Sequence, residues 1–331
     1  MLLLLGHALA VTLWARHSAA RHIAHQYNAT ICGLGSYTSP SNNLTFNSNA
    51  WNPDSPGFQC LSVQDSPPKF DATWAWADDP GSVHSYPHVK LTSPAMPVTL
   101  SNISALLLSV KWSMGPGSTP RPALNVDSTG LADRETVANV AFDIFADRNT
   151  ANAQNETTAE TEIMIWLGKF GSAKPLGFAL ERTCFNQTVS DVELQLTCLS
   201  VLYQGHNARG TNVFTWMAMA NRTSFAAEIS PLLQYLWRNG LVSAGSNIGL
   251  VSFGSEAYHS EGNVTFSASD FAMSVITGPA PNLAVGGLPT TCAQPEAPPD
   301  ESGAVSLYAR GSWPSRVAIT TLVGVVVYFL C

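Results

Sequence analysis

Charge is what this chain has least of. Only 12% of its 331 residues are Asp, Glu, Lys or Arg, and the 16 Lys and Arg are scattered along it. Neutralising phosphates takes clustered cations, and a formal charge of -7 disfavours polyanions, so no nucleic-acid partner is expected. A spanning helix needs about 20 apolar residues, and the uncharged C-terminal run, Val317 to Cys331, has 15. No metal site is expected either: His22 and His25 lie close together in a polar leader, but no third ligand is near. Helices that alternate with strands are missing too, which removes the parallel α/β architectures.

What is present is a hydrophobic fraction of 45%, enough for a sizeable core in one large or two ordinary domains. Short segments with period-two patterning recur: Leu106 to Trp112, Val137 to Phe145, Glu162 to Leu167, Val192 to Tyr203, Val213 to Ala220, Ile248 to Phe253 and Val264 to Val275. Turn signals such as Gly115-Pro116-Gly117 and Glu261-Gly262-Asn263 separate them. This predicts an all-β sandwich of two antiparallel sheets. A single short α-helix interrupts, with Ser230 as N-cap, Pro231 at its first position and Asn239-Gly240 as its stop.

The stretch from Thr161 to Gly168 is the most informative. Successive side chains on a strand point to opposite faces, so Ile163, Ile165 and Leu167 enter the core while Glu162, Met164 and Trp166 share the other side. A carboxylate, a thioether and an indole in a row do not make a solvated surface, and an isolated charge is costly in a packed interior. A concave carbohydrate face would want them: an indole covers sugar C–H groups, and cleaving a glycosidic bond takes carboxylates. A second carboxylate sits in Phe253-Gly254-Ser255-Glu256-Ala257-Tyr258, where Gly254, Glu256 and Tyr258 share one face. A third, Asp143, lies alone in the apolar segment Phe142-Asp143-Ile144-Phe145.

These segments resemble glycoside hydrolase family 12, the endo-β-1,4-glucanases and xyloglucanases. Glu162 to Gly171 matches the family's E-[IL]-M-I-W-L-G-K-[YF]-G segment without a gap, Phe253 to Tyr258 fits F-G-[TS]-E-[PA]-[FYW], and Asn139 to Phe145 fits N-V-A-[YF]-D-[LI]-F. The resemblance, from about Tyr37 to about Val275, implies a β-jelly-roll with a concave cleft and a helix on the convex side. It implies a monomer that hydrolyses cellulose-like, mixed-linkage or xyloglucan chains with Glu162 as nucleophile, Glu256 as acid/base and Asp143 beside the nucleophile. No cofactor or metal is required. Sugar contacts are implied for Trp51, Trp74, Trp76, His88, Met164, Trp166 and Tyr258. Two departures stand out. The family's N-N-L-W-G is disturbed after Asn42-Asn43-Leu44, so either the platform Trp is lost or Asn49-Ala50-Trp51 replaces it after a small insertion, and His88 stands where S-Y-x-N has Asn. Trp74-Ala75-Trp76 matches W-x-W, with two core tryptophans as the other reading. These departures keep a second function open, that of a wall-anchored glucan-binding protein with weak or no activity.

Processing signals frame the domain. Residues 1–20 read as a secretory signal, residues 21–278 as the jelly roll and residues 279–302 as a Pro/Gly-rich linker. Residues 303–331 fit a GPI-attachment signal, with Ser302-Gly303-Ala304 as the small triplet, a polar spacer and an apolar tail; a short tail anchor is the alternative. Seven Asn-x-Ser/Thr sites, at Asn28, Asn43, Asn102, Asn155, Asn186, Asn221 and Asn263, become meaningful on a secreted, cell-surface chain. The resemblance implies a Cys32–Cys60 bridge; Cys184 and Cys198 are paired by their proximity in an insertion, and Cys292 is left over.

Overall fold

The computed structural model describes residues 27–54, 56–181 and 199–281. The expected leader, most of the linker, the tail, Asn186, Cys184, Cys198 and Cys292 lie outside those residues. The chain opens with strands β1 (Ala29–Cys32), β2 (Ser36–Thr38), β3 (Leu44–Asn47), β4 (Phe58–Asp65), β5 (Pro68–Ala75) and β6 (His88–Leu91). Then come β7 (Val98–Thr99), β8 (Ile103–Pro116), helix α1 (Ser128–Ala132), β9 (Val137–Asp147), helix α2 (Thr150–Ala153) and β10 (Thr161–Phe170). The last part holds β11 (Phe178–Glu181), β12 (Leu199–His206), β13 (Asn212–Ala218), β14 (Ser224–Glu228), helix α3 (Ser230–Arg238), β15 (Asn247–Gly254), β16 (Ala257–His259) and β17 (Val264–Thr277).

Two sheets form the sandwich. The smaller runs β1-β4-β5-β17-β8-β14; the larger runs β11-β12-β13-β10-β9-β15-β6-β3-β2, with β16 on β9 and β7 on β15. Each patterned segment becomes a strand, with Val192 to Cys198 outside the described part. One pairing departs from the all-antiparallel expectation. β13 lies parallel to β10, because the excursion through β11 and β12 brings the chain back beside β10 in the same direction. The core lies between the sheets. On the large sheet Phe142, Ile144, Ile163, Ile165, Phe214 and Trp216 point into it, opposite Phe70, Trp112 and Phe266 of the small one. Cys32 and Cys60, directly opposite on β1 and β4, are joined by the expected disulfide.

Three short helices replace the single one expected. In α3, Leu232, Leu233 and Leu236 enter the core and Tyr235 meets the Trp216 ring edge-on, so the helix lies behind the large sheet. Its N-cap is Ile229, one residue before the expected Ser230. The physical reason is Glu228, whose Oε1 accepts from the backbone N–H groups of Ser230 and Leu106 and so replaces a capping hydroxyl.

A buried polar chain ties the sheets together near one end. Gln59 of β4 donates through Nε2 to the Ser48 carbonyl oxygen and accepts from the Ser85 hydroxyl, which itself accepts from the Trp76 indole N–H at 3.0 Å.

At Gly254 the approach of β6 leaves no room for a side chain, since a Cβ there would run into the Pro87 carbonyl and the His88 Cβ. Gly254→Ala should therefore cost roughly 2 kcal/mol in chemical denaturation through overpacking, and also lower activity because Glu256 follows two residues later. An unchanged denaturation midpoint would show that the two strands separate freely.

Candidate active site

The concave face of the large sheet carries a cleft of about 1000 Å³. Period-two alternation fills it: Asp143 and Phe145 from β9, Glu162, Met164 and Trp166 from β10, and Val213 and Thr215 from β13 line the cleft, while their neighbours in sequence line the core. Asp143 is paired with Met164 and Phe145 with Glu162, so the two carboxyls stand diagonally on adjacent strands. Glu256 sits in the break between β15 and β16 and enters the same cleft with Tyr258.

Glu256 is the most firmly held of the three carboxyls. The Asn139 backbone N–H donates to its carbonyl at 3.1 Å, the Asn139 Oδ1 accepts from its N–H at 2.9 Å, and the Asn139 Nδ2 donates to its Oε2. The Tyr258 hydroxyl donates to the same oxygen at 3.1 Å. Burial pushes Glu256 up to about 7, against the pull of these two side-chain donors. Glu162 is pushed up to about 8 by burial and by the charge of Glu256, opposed by Arg209 and by Asn207, whose Nδ2 lies 3.5 Å from Glu162 Oε2. Asp143 is raised well above the usual carboxylate range by burial and by the Glu162 charge, and its buried Oδ1 has no partner. A proton on Glu256 removes part of the repulsion that holds Glu162 up, and a proton on Asp143 removes Asp143's own charge from the cluster. The arrangement thus favours one carboxylate accompanied by neutral carboxyls.

Not every residue expected at the sugar is there. Trp51, Met164, Trp166 and Tyr258 line the cleft, and Trp51 is 46% exposed. Trp74 and Trp76 are instead fully buried in the core; Trp76 is satisfied by Ser85 and stacks on His84, so the W-x-W face points inward. His88 is buried as well. It receives Asn47 Nδ2 at its Nε2 (3.1 Å), donates from Nδ1 to the Tyr86 carbonyl (2.8 Å) and stacks on the Tyr86 ring. Burial lowers its pKa and keeps it neutral, so it braces Tyr86, which faces the cleft and donates its hydroxyl to the Ala141 carbonyl. Asn139, Asn207, Arg209, Glu156 and Tyr86 were not foreseen. Asn139 opens the motif that contains Asp143, which is the one signal that could have found it. Among the described residues no three His, Cys, Asp or Glu side chains are grouped to hold a metal.

The sequence profile of Glycosyl hydrolase family 12 matches residues 42–276. The chain belongs to this family. Relatives include a protein of Aspergillus clavatus named probable xyloglucan-specific endo-beta-1,4-glucanase A, 28% identical over 235 residues that span 69% of this chain and 81% of the relative. Another is endoglucanase A of Aspergillus kawachii, 24% identical over 276 residues, or 81% of this chain and 98% of the relative. Among solved structures, endoglucanase 3 of Trichoderma harzianum superposes with a TM-score of 0.59 at 23% identity, covering 75% of this chain and 97% of its own. The family 12 xyloglucanase of Bacillus licheniformis gives 0.58 at 20%, covering 75% and 100%. These superpositions establish a shared jelly-roll fold.

Two predictions follow from the geometry. Trp51→Ala should weaken cello-oligosaccharide binding with little change in thermal stability, because nearly half of the indole is already exposed; a stability loss of several kcal/mol would instead mark it as core. The second concerns pH. A carboxyl whose folded value is raised stabilises the fold fully below its ordinary 4.5, and that contribution is lost as pH rises through the folded value near 7. Glu256→Gln should therefore raise the melting temperature at pH 8 by about 5 °C, for a relief on the order of 2 kcal/mol, and leave it nearly unchanged at pH 4. Equal effects at both pH values would contradict the assigned burial.

Proposed function

We propose that this chain is a retaining endo-β-1,4-glucanase acting on cellulose-like, mixed-linkage or xyloglucan chains. The supporting observation is the pair Glu162 and Glu256, two half-buried carboxyls, one on β10 and one in the break between β15 and β16, that open on one cleft beside exposed indole surface. Before substrate binds, Glu256, near 7, gives up its proton before Glu162, near 8. A bound glycosidic oxygen accepts from Glu256 and so favours its protonated form. Glu162 then attacks the anomeric carbon as Glu256 protonates that departing oxygen. Glu256, now ionised, takes a proton from the incoming water, whose oxygen displaces Glu162 from the sugar. Asp143, kept neutral, steadies the nucleophile without adding charge.

A reducing-sugar assay on barley β-glucan and on xyloglucan separates this reading from that of an inactive glucan-binding protein. Glu162→Gln should lower turnover by at least about a thousandfold while the fold survives, and the freshly released sugar of the unaltered enzyme should carry the β anomer in proton NMR. An active Glu162→Gln protein, or release of the α anomer, would remove this mechanism.

The same reading places the enzyme outside the cell, tethered by GPI through residues 279–302. The Cys32–Cys60 disulfide fits an oxidising compartment. Phosphatidylinositol-specific phospholipase C should release the protein from membranes. Release by detergent alone would point to an inserted tail.

A further inference from the structure

Three loops meet over the concave face: the turn after β3 that leads to Trp51, the loop before β10, and the turn between β12 and β13. Asn49, held at a φ of 49° in the turn after β3, points its Nδ2 at Glu156 Oε2, 3.5 Å away. Arg209, in the turn between β12 and β13, donates from Nη2 to the Glu156 backbone carbonyl at 3.2 Å. All three residues line the cleft.

The strand register shows how unusual this contact is. β3 ends at Asn47, level with His88, Gly254 and Ala141 across the sheet. β10 begins at Thr161, level with Ala146, which lies five residues further along β9, or roughly 17 Å at the rise of an antiparallel strand. Glu156 precedes β10 and yet reaches Asn49, so its loop folds back over the face and joins one lip of the cleft to the other. The position agrees with the charge of Glu156 acting on Asp143, Glu162, Tyr86 and His88.

A β-1,4-glucan is a row of flat plates. Its linkages and hydroxyls are equatorial, and each C6 hydroxymethyl points sideways, which on a chain lying along the cleft means toward a lip. A bare hydroxymethyl is small, and can hydrogen-bond to the Glu156 carboxylate or the Asn49 amide. A glycosyl group on C6 needs the gap that these two side chains close.

We propose that the tie among Asn49, Glu156 and Arg209 makes this cleft select glucan backbones without C6 branches where the tie meets the bound chain, with Glu156 as the specificity-determining residue. The inference rests on the glucan-hydrolase reading and names the substrate class within it, unbranched or mixed-linkage glucan over xyloglucan.

Binding to a protein carrying Glu162→Gln tests it independently of turnover. By calorimetric titration, cellohexaose should bind at least about tenfold more tightly than a xylosylated oligosaccharide with the same number of backbone glucosyl units. Adding Glu156→Ala should shrink that ratio to within about threefold, mainly by strengthening the branched ligand. Asn49→Gly should do the same from the other lip while preserving the left-handed backbone, because glycine adopts positive φ without strain. Equal or tighter binding of the branched ligand by the starting protein, a ratio unmoved in both variants, or no binding of either ligand would each overturn the proposal. Hydrolysis of barley β-glucan by the unaltered chain is measured alongside. Its absence with the binding preference intact would remove the hydrolase reading and leave the selectivity standing.

Discussion

Three carboxyl groups share one face of one sheet, and in a cleft shielded from water they cannot all be charged. Burial raises all three above the ordinary carboxylate range, and at Glu162 and Asp143 the charge of a neighbouring carboxylate raises the cost further. Much of the surrounding structure answers that constraint. Asn139 and Tyr258 supply donors to Glu256, while Asn207 and Arg209 lean on Glu162, and Asp143 is left with a bare oxygen that suits a proton. The core beneath, from Phe142 through Ile165 to Trp216, stops the strands from drifting apart and diluting the repulsion that a shared proton relieves.

The sequence was most legible where one strand carries its own contrast. Glu162, Met164 and Trp166 against Ile163, Ile165 and Leu167 give both the strand and its two environments, and both are found. At Trp74 and Trp76 the W-x-W likeness outweighed that periodicity. On β5 Phe70, Ala72 and Trp74 alternate with Lys69, Asp71 and Thr73, so the tryptophans share the apolar face that enters the core. The hydroxyl of Ser85, which receives the Trp76 indole inside the core, belongs to a loop that no local pattern links to it. His88 is a similar case, taken into the interior by Asn47 and the Tyr86 ring. The helix start slipped by one residue because a carboxylate two positions upstream of Ser230 caps as well as a serine would.

Loops explain the remaining gap. Glu156, Asn207 and Arg209 come from turns whose positions depend on how far apart the strand ends lie, a property of register and twist that appears only once the sheet is built. The relatives are only 24% and 28% identical to this chain. Family membership therefore constrains the strands and the carboxyl-bearing motifs far more than the rim of the cleft, where selectivity among glucans is decided.

The chain of hydrogen bonds from Ser48 through Gln59 and Ser85 to Trp76 has a thermodynamic side. It anchors the residue immediately before Asn49 and holds the root of the loop that carries Trp51, so a segment without regular structure is fixed to the interior at its base. Flexible loops lose entropy when they close on a sugar, and that loss is subtracted from affinity. Here the loss is taken at folding, once, and is shared by the whole cooperative unit. The indole can then meet successive rings of a polymer as a fixed surface, with the same enthalpy at every encounter and little ordering left to do.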